Sequence, residues 1–159
     1  MLFRSLGDEL MFCSLINELL GFSALNSTSL TLQVDARLKS LMSRSFPTIN
    51  VISHDETPEG VDAQLALGSI PKLLRSDLAS FYSTGRNGYL TADSSRRDAL
   101  KTRLANKKNV VGISWKTLNP NDSGSRTIPI SQMAEFIGTM DVQIINLQYD
   151  TTEAESQEL

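Results

Sequence analysis

The sequence predicts an α/β fold: a Rossmann-like, mostly parallel sheet with flanking helices. Short apolar runs alternate with stretches of helical periodicity along the chain, which is the pattern of successive β-α-β units. The 159 residues are 40% hydrophobic, enough for one full domain. Two doubly wound domains need roughly 250 residues or more. Near the end of the chain, one segment spells out strand, small-residue loop and helix in order: VVGISWKTLNPNDSGSRTIPI.

The elements follow in turn. Residues 8–20 set Leu10, Met11, Cys13, Ile16, Leu19 and Leu20 at helical spacing, with Gly21 as the stop. Residues 29–34 alternate Leu30, Leu32 and Val34 against Thr31 and Gln33, a half-buried strand. Asp35 caps a helix with Leu38, Leu41 and Met42 inward, ending near Phe46-Pro47. Residues 48–52 form a second strand, 54–60 an acidic turn-rich loop, and 62–67 a third short strand. A helix begins at about Ile70, after Gly68-Ser69, and runs to Tyr82, with Pro71 in its first turn. Residues 83–89 are a loop with two glycines. Residues 94–107 are helical, with Leu100 and Leu104 inward and Asn109 as the stop. A strand at 110–115, a helix at 131–137 and a strand at 142–147 follow, and 151–159 is a frayed acidic tail.

The charged stretch Asn106-Lys107-Lys108-Asn109 marks a boundary. Residues 1–108 read as an N-terminal Rossmann-like domain, 109–150 as the first β-α-β unit of a second one, and 151–159 as a polar tail.

Composition narrows the function. A net charge of −3 and no long Lys/Arg run argue against a nucleic-acid partner, despite the local pairs Arg96-Arg97 and Lys107-Lys108. The single cysteine, Cys13, excludes an internal disulfide and a Cys-based zinc site, and its apolar neighbours suit a buried thiol. His54, alone beside Asp55 and Glu56, reads as a surface histidine rather than a metal ligand, and no metal is expected. No apolar stretch approaches the ~20 residues of a membrane span. Arg4, Asp8 and Glu9 interrupt any signal-peptide core, so the expected compartment is the cytoplasm.

Residues 110–130 carry the most chemistry. Val110, Val111 and Ile113 lead into Ser114, Trp115 and Lys116. A loop of Asn, Ser and Gly reaches Arg126, and Pro129 and Ser131 open a helix. Two cations in a small-residue loop between a strand and a helix N-terminus suit an anion, phosphate first.

Gly7-Asp8-Glu9, Asp62-Ala63-Gln64, Gly68-Ser69-Ile70-Pro71, Gly88-Tyr89-Leu90 and Gly112-Ile113-Ser114-Trp115-Lys116 form an ordered series. In this order the chain resembles bacterial glycosyltransferases of the two-Rossmann GT-B type. The nearest group is the glycosyltransferase region of tetratricopeptide-repeat sugar transferases. These are related to lipopolysaccharide heptosyltransferases and to O-linked N-acetylglucosamine transferases. The resemblance implies transfer of a sugar from a nucleotide diphosphate-sugar donor to a saccharide or protein hydroxyl. By position, the resemblance makes Asp8 the candidate general base for the acceptor's proton. Ser114, Lys116 and Arg126 face the leaving diphosphate, where preorganised cations and donors stabilise the developing charge. Ser69 lines the acceptor cleft. Trp115 lies beneath a base or sugar, or wedges between sheet and helix. Asp8 also has a purely structural role open to it, as a carboxylate in a first helical turn worth ~0.3–1 kcal/mol.

The family has a whole buried strand where this chain offers Met1-Leu2-Phe3, and it continues well beyond Tyr149. The chain therefore reads as a fragment, inactive alone. The alternative is a non-catalytic α/β binding or self-assembly module, a homodimer paired through an exposed sheet edge. A flavodoxin-like phosphate-ligand protein ranks last, because no Gly-rich loop follows the first strand.

Overall fold

The computed structural model describes residues 6–25, 28–81, 88–107, 109–117 and 126–158. Met1-Leu2-Phe3, most of the 83–89 glycine loop, Lys108 at the expected boundary and the 118–125 part of the expected phosphate loop lie outside them. The fold is mixed α/β, in two compact units, Met1–Asp98 and Ala99–Leu159.

The first unit opens with α1 (Leu6–Cys13) and α2 (Ile16–Leu25), then β1 (Thr31–Val34), α3 (Ala36–Ser45) and β2 (Asn50–Ser53). A 3-10 turn (Leu67–Ser69), α4 (Ile70–Leu74) and a second 3-10 turn (Ala79–Phe81) follow, and α5 (Ser94–Leu104) contains the boundary between the two units. β1 and β2 pair in parallel, Thr31 opposite Asn50 and Val34 opposite Ser53, with α3 as the crossover. Alternation explains β1: Leu32 and Val34 are buried, Thr31 is exposed. β2 is buried at Val51, Ile52 and Ser53. Asp35 caps α3 by accepting the Arg37 N–H at 2.9 Å, and Leu38 and Met42 turn inward as their spacing predicts. The helix closes at Phe46, whose N–H returns to the Met42 carbonyl, just before Pro47.

The core joins Cys13, Leu15 and Ile16 from the first helical region to Leu32, Val34, Leu38, Met42, Phe46, Val51 and Ile70. Each large apolar side chain so buried contributes about 1.5–3 kcal/mol. Phe46 stacks on Tyr89 with ring centroids 5.6 Å apart, and the Tyr89 hydroxyl donates to the Leu10 carbonyl. Arg75, after α4, holds the Glu18 carboxylate of α2 with both terminal nitrogens.

Several elements differ from the sequence reading. The helix expected at 8–20 is two helices. Ser14 Oγ donates back to the Met11 carbonyl at 2.6 Å, and the Leu15 N–H closes on Phe12. A serine competing for backbone groups breaks the ladder there. Gly21 does not stop α2, which runs on to Leu25; a helical glycine costs only about 1 kcal/mol. The third strand at 62–67 does not form, since residues 61–66 are exposed without ladder partners. A short run without a neighbouring strand or a covered face makes no sheet. The helix from Ile70 stops at Leu74. Asp77 then accepts the Ser80 N–H at 2.9 Å and starts a separate turn. Leu100 of α5 is 52% exposed rather than inward. Arg96, Arg97, Asp98, Lys101 and Arg103 make that helix polar nearly all round.

The second unit is one β-α-β motif plus a short helix: β3 (Val110–Ile113), α6 (Ile130–Gly138), β4 (Gln143–Asn146) and α7 (Glu153–Glu158). β3 and β4 are parallel, Val110 opposite Gln143 and Ile113 opposite Asn146. Ile137, Val142, Ile144 and Ile145 are half-buried, and Trp115 is buried. Gly112 leaves room for Leu147, since a Cβ there would lie 2.5 Å from a Leu147 methyl. Residues 153–158 are helical rather than frayed. Thr152 and Glu155 close a capping box: the Glu155 carboxylate accepts the Thr152 N–H at 2.9 Å, and Thr152 Oγ1 accepts the Glu155 N–H at 3.3 Å. No helix among the described residues is long and apolar enough to cross a membrane.

Candidate functional site

In open α/β sheets ligands bind outside the carboxyl ends of the strands. Both parallel pairs carry their polar groups there.

At the end of β1 and β2 the central group is Glu9, only 4% exposed. It lies on the inner face of α1 with Cys13, one turn away. One carboxylate oxygen accepts the N–H of Asp35, the residue after β1, at 2.8 Å. The other meets Nε2 of His54, the residue after β2, at 2.9 Å. The Asp35 carboxylate takes the Arg37 N–H, Nε and Nη2, each at 2.9 Å, and this guanidinium holds it well below the usual carboxylate range. Glu56 accepts from Lys39, from Ser53 Oγ at 2.6 Å and from the Ser53 N–H at 2.7 Å. These donors, Lys39 first, bring Glu56 down to about 2.

Asp8 is half-buried on α1, and its carboxylate makes no hydrogen bond or ion pair with the described residues. The carboxylate at the strand ends is Glu9, its neighbour. The sequence carried a signal for this: Glu9 falls four residues before Cys13 and seven before Ile16, inside the apolar stripe. His54 is exposed, as a surface histidine would be, yet a buried carboxylate holds its ring. Ser69 is half-buried just before α4 and makes no side-chain cap, and α1 packs against its turn.

At the end of β3 and β4 three donors converge on one oxygen. Ser114 Oγ, the Trp115 N–H and the Lys116 N–H donate to Gln148 Oε1 at 2.9, 3.1 and 3.0 Å. Gln148 is 7% exposed. Its N–H donates to Asn146 Oδ1 and its Nε2 to the Tyr149 carbonyl. Lys116 Nζ bridges both carboxylate oxygens of Glu155 at 2.7 Å. Glu155 is held at about 2, by Lys116 first and by the Thr152 N–H next. The Trp115 indole is buried, and its Nε1 has no acceptor among the described residues. Trp115 also accepts the Ile128 N–H at 2.9 Å, which ties the strand end to the segment just after Arg126. Arg126 itself is exposed.

The structure thus brings Ser114, Trp115 and Lys116 into one donor cluster. Sequence reasoning missed the residues that fill it, Gln148 and Glu155. Only the Thr152-x-x-Glu155 capping pattern announced part of that arrangement. Two backbone N–H groups, a hydroxyl and an ammonium are donors of the kind that suit an anion's oxygens.

No protein-family model matches the sequence, and no solved structure matches it. Protein FlbA of Caulobacter vibrioides is similar, at 29% identity over 171 residues. The alignment takes in 96% of this chain and 28% of FlbA, so the chain spans less than a third of that relative's length.

Proposed function

We propose that the chain is part of a glycosyltransferase that moves a sugar from a nucleotide diphosphate-sugar to a saccharide or protein hydroxyl. The observation that carries the proposal is the convergence of Ser114 Oγ and the Trp115 and Lys116 N–H groups on a single oxygen beyond β3. In this reading those donors, with Lys116 Nζ and Arg126, receive the donor's diphosphate. They stabilise the charge that builds as the sugar leaves. Asp8 takes the proton of the acceptor hydroxyl, and Ser69 lines the acceptor side. Arg126 supplies a planar fork and Lys116 a point charge, so no metal is called for.

The test is binding. Lys116→Met and Ser114→Ala are each expected to weaken pyrophosphate binding by about tenfold, the effect of one lost charge-assisted or hydroxyl hydrogen bond. Retention of wild-type affinity by both variants would remove the site.

A second reading has its own support. Among the described residues each sheet has two strands, which suits pairing of backbone edges with another copy. In that reading the chain is a non-catalytic self-assembly module. A monomer at every concentration in sedimentation equilibrium would eliminate it.

A further inference from the structure

The donors beyond β3 are not vacant. Ser114 Oγ, the Trp115 and Lys116 N–H groups and Lys116 Nζ are all engaged by the segment that follows β4. Gln148 offers a neutral carbonyl oxygen to three donors, and Glu155 offers a carboxylate to the ammonium. Carbonyl and carboxylate oxygens are the protein groups closest in hydrogen-bonding chemistry to phosphate oxygens.

We infer that residues 148–155 are a built-in occupant of the anion site, which a diphosphate ligand must displace in order to bind. This rests on the phosphate reading of the β3 loop and adds its regulation. Gln148 Oε1 holds the place of one phosphate oxygen, and the Glu155 carboxylate holds that of a second phosphoryl group.

The Glu155 end of the occupant is lightly held. Glu155 sits on α7, a helix of six residues, too short to persist by itself. That helix is held by its capping box and by packing on α6. Exchange also favours a highly charged ligand. Phosphate oxygens make charge-assisted bonds to the three donors where Gln148 makes neutral ones. At Lys116 the ligand competes with an existing carboxylate, so a singly charged anion gains little. The expected order of affinity is pyrophosphate above inorganic phosphate above acetate.

Trp115 is the only tryptophan and lies between two of the donors, so its emission reports on the site. The experiment titrates the full chain with pyrophosphate at fixed ionic strength, following that emission. Glu155→Gln keeps the side chain's size and removes its charge. It is expected to bind pyrophosphate about tenfold more tightly than the wild type, and adding Lys116→Met is expected to abolish the gain. Equal or weaker binding by Glu155→Gln, with the wild type still binding, would overturn this inference and leave the phosphate reading standing. No binding by any variant would overturn both.

A second measurement covers a variant that fails to fold. In wild-type protein saturated with pyrophosphate, the amide resonances of Gln148, Thr152 and Glu155 should move together with those of Ser114, Trp115 and Lys116. Movement of the latter three alone would show that the segment stays in place and would overturn the inference.

Discussion

Burial pushes the Cys13 thiol up to about 12, and the neighbouring Glu9 adds to the shift. Burial likewise takes Tyr89 to about 12, with Cys13 as the second cause. Both groups make the fold sensitive to alkali. Below pH 9 neither state ionises the thiol; between 9.0 and about 12 the unfolded chain ionises first, so stability is lost over that window. The carboxylates act at the other end. Glu56 and Glu155 fall from 4.5 to about 2, so their contribution is complete above 4.5 and is lost as pH falls toward about 2. Urea midpoints measured against pH should show a plateau between these limits, with a decline on each side. A midpoint that kept rising from pH 7 to 11 would contradict the burial of Cys13 and Tyr89.

At the scale of elements, α3 holds the first unit together. Its Met42 is fully buried, and Phe46 at its end is 1% exposed and stacked on Tyr89. Phe46→Ala should cost about 3–5 kcal/mol in chemical denaturation, the range for deleting a buried aromatic side chain. A loss below 1 kcal/mol would mean that the Phe46–Tyr89 stack contributes little. The β1-α3-β2 motif was also the most legible part of the sequence. Its signals are local: alternation in β1, a capping aspartate, apolar residues four apart and a terminal proline. Other elements depended on contacts that periodicity does not encode. The break between α1 and α2 turns on the hydroxyl of Ser14. The strand expected at 62–67 lacked a partner. In the candidate site, Ser114 and Lys116 were legible because strand, cation and loop are adjacent in sequence. Gln148 was not, because it reaches Trp115 across 33 residues. Glu9 was hidden beside Asp8, and only its register within the apolar stripe separates the two.

At the scale of the molecule, two units repeat one plan. Each has a parallel strand pair with a helical crossover, and each gathers its polar side chains beyond the carboxyl ends of the strands. In the first unit a buried carboxylate joins the two strand ends through Asp35 and His54. In the second, three donors and a lysine are satisfied by residues that follow β4. The proposed function requires the end of β3 to bind the phosphates of a nucleotide. A residue-resolved NMR titration with UDP, GDP, ADP, CMP and pyrophosphate tests it most directly. Shifts are expected on residues 114–117 and 126–128, joined by Gln148, Thr152 and Glu155, with the preferred base narrowing the donor. Absence of shifts there up to millimolar ligand would contradict it.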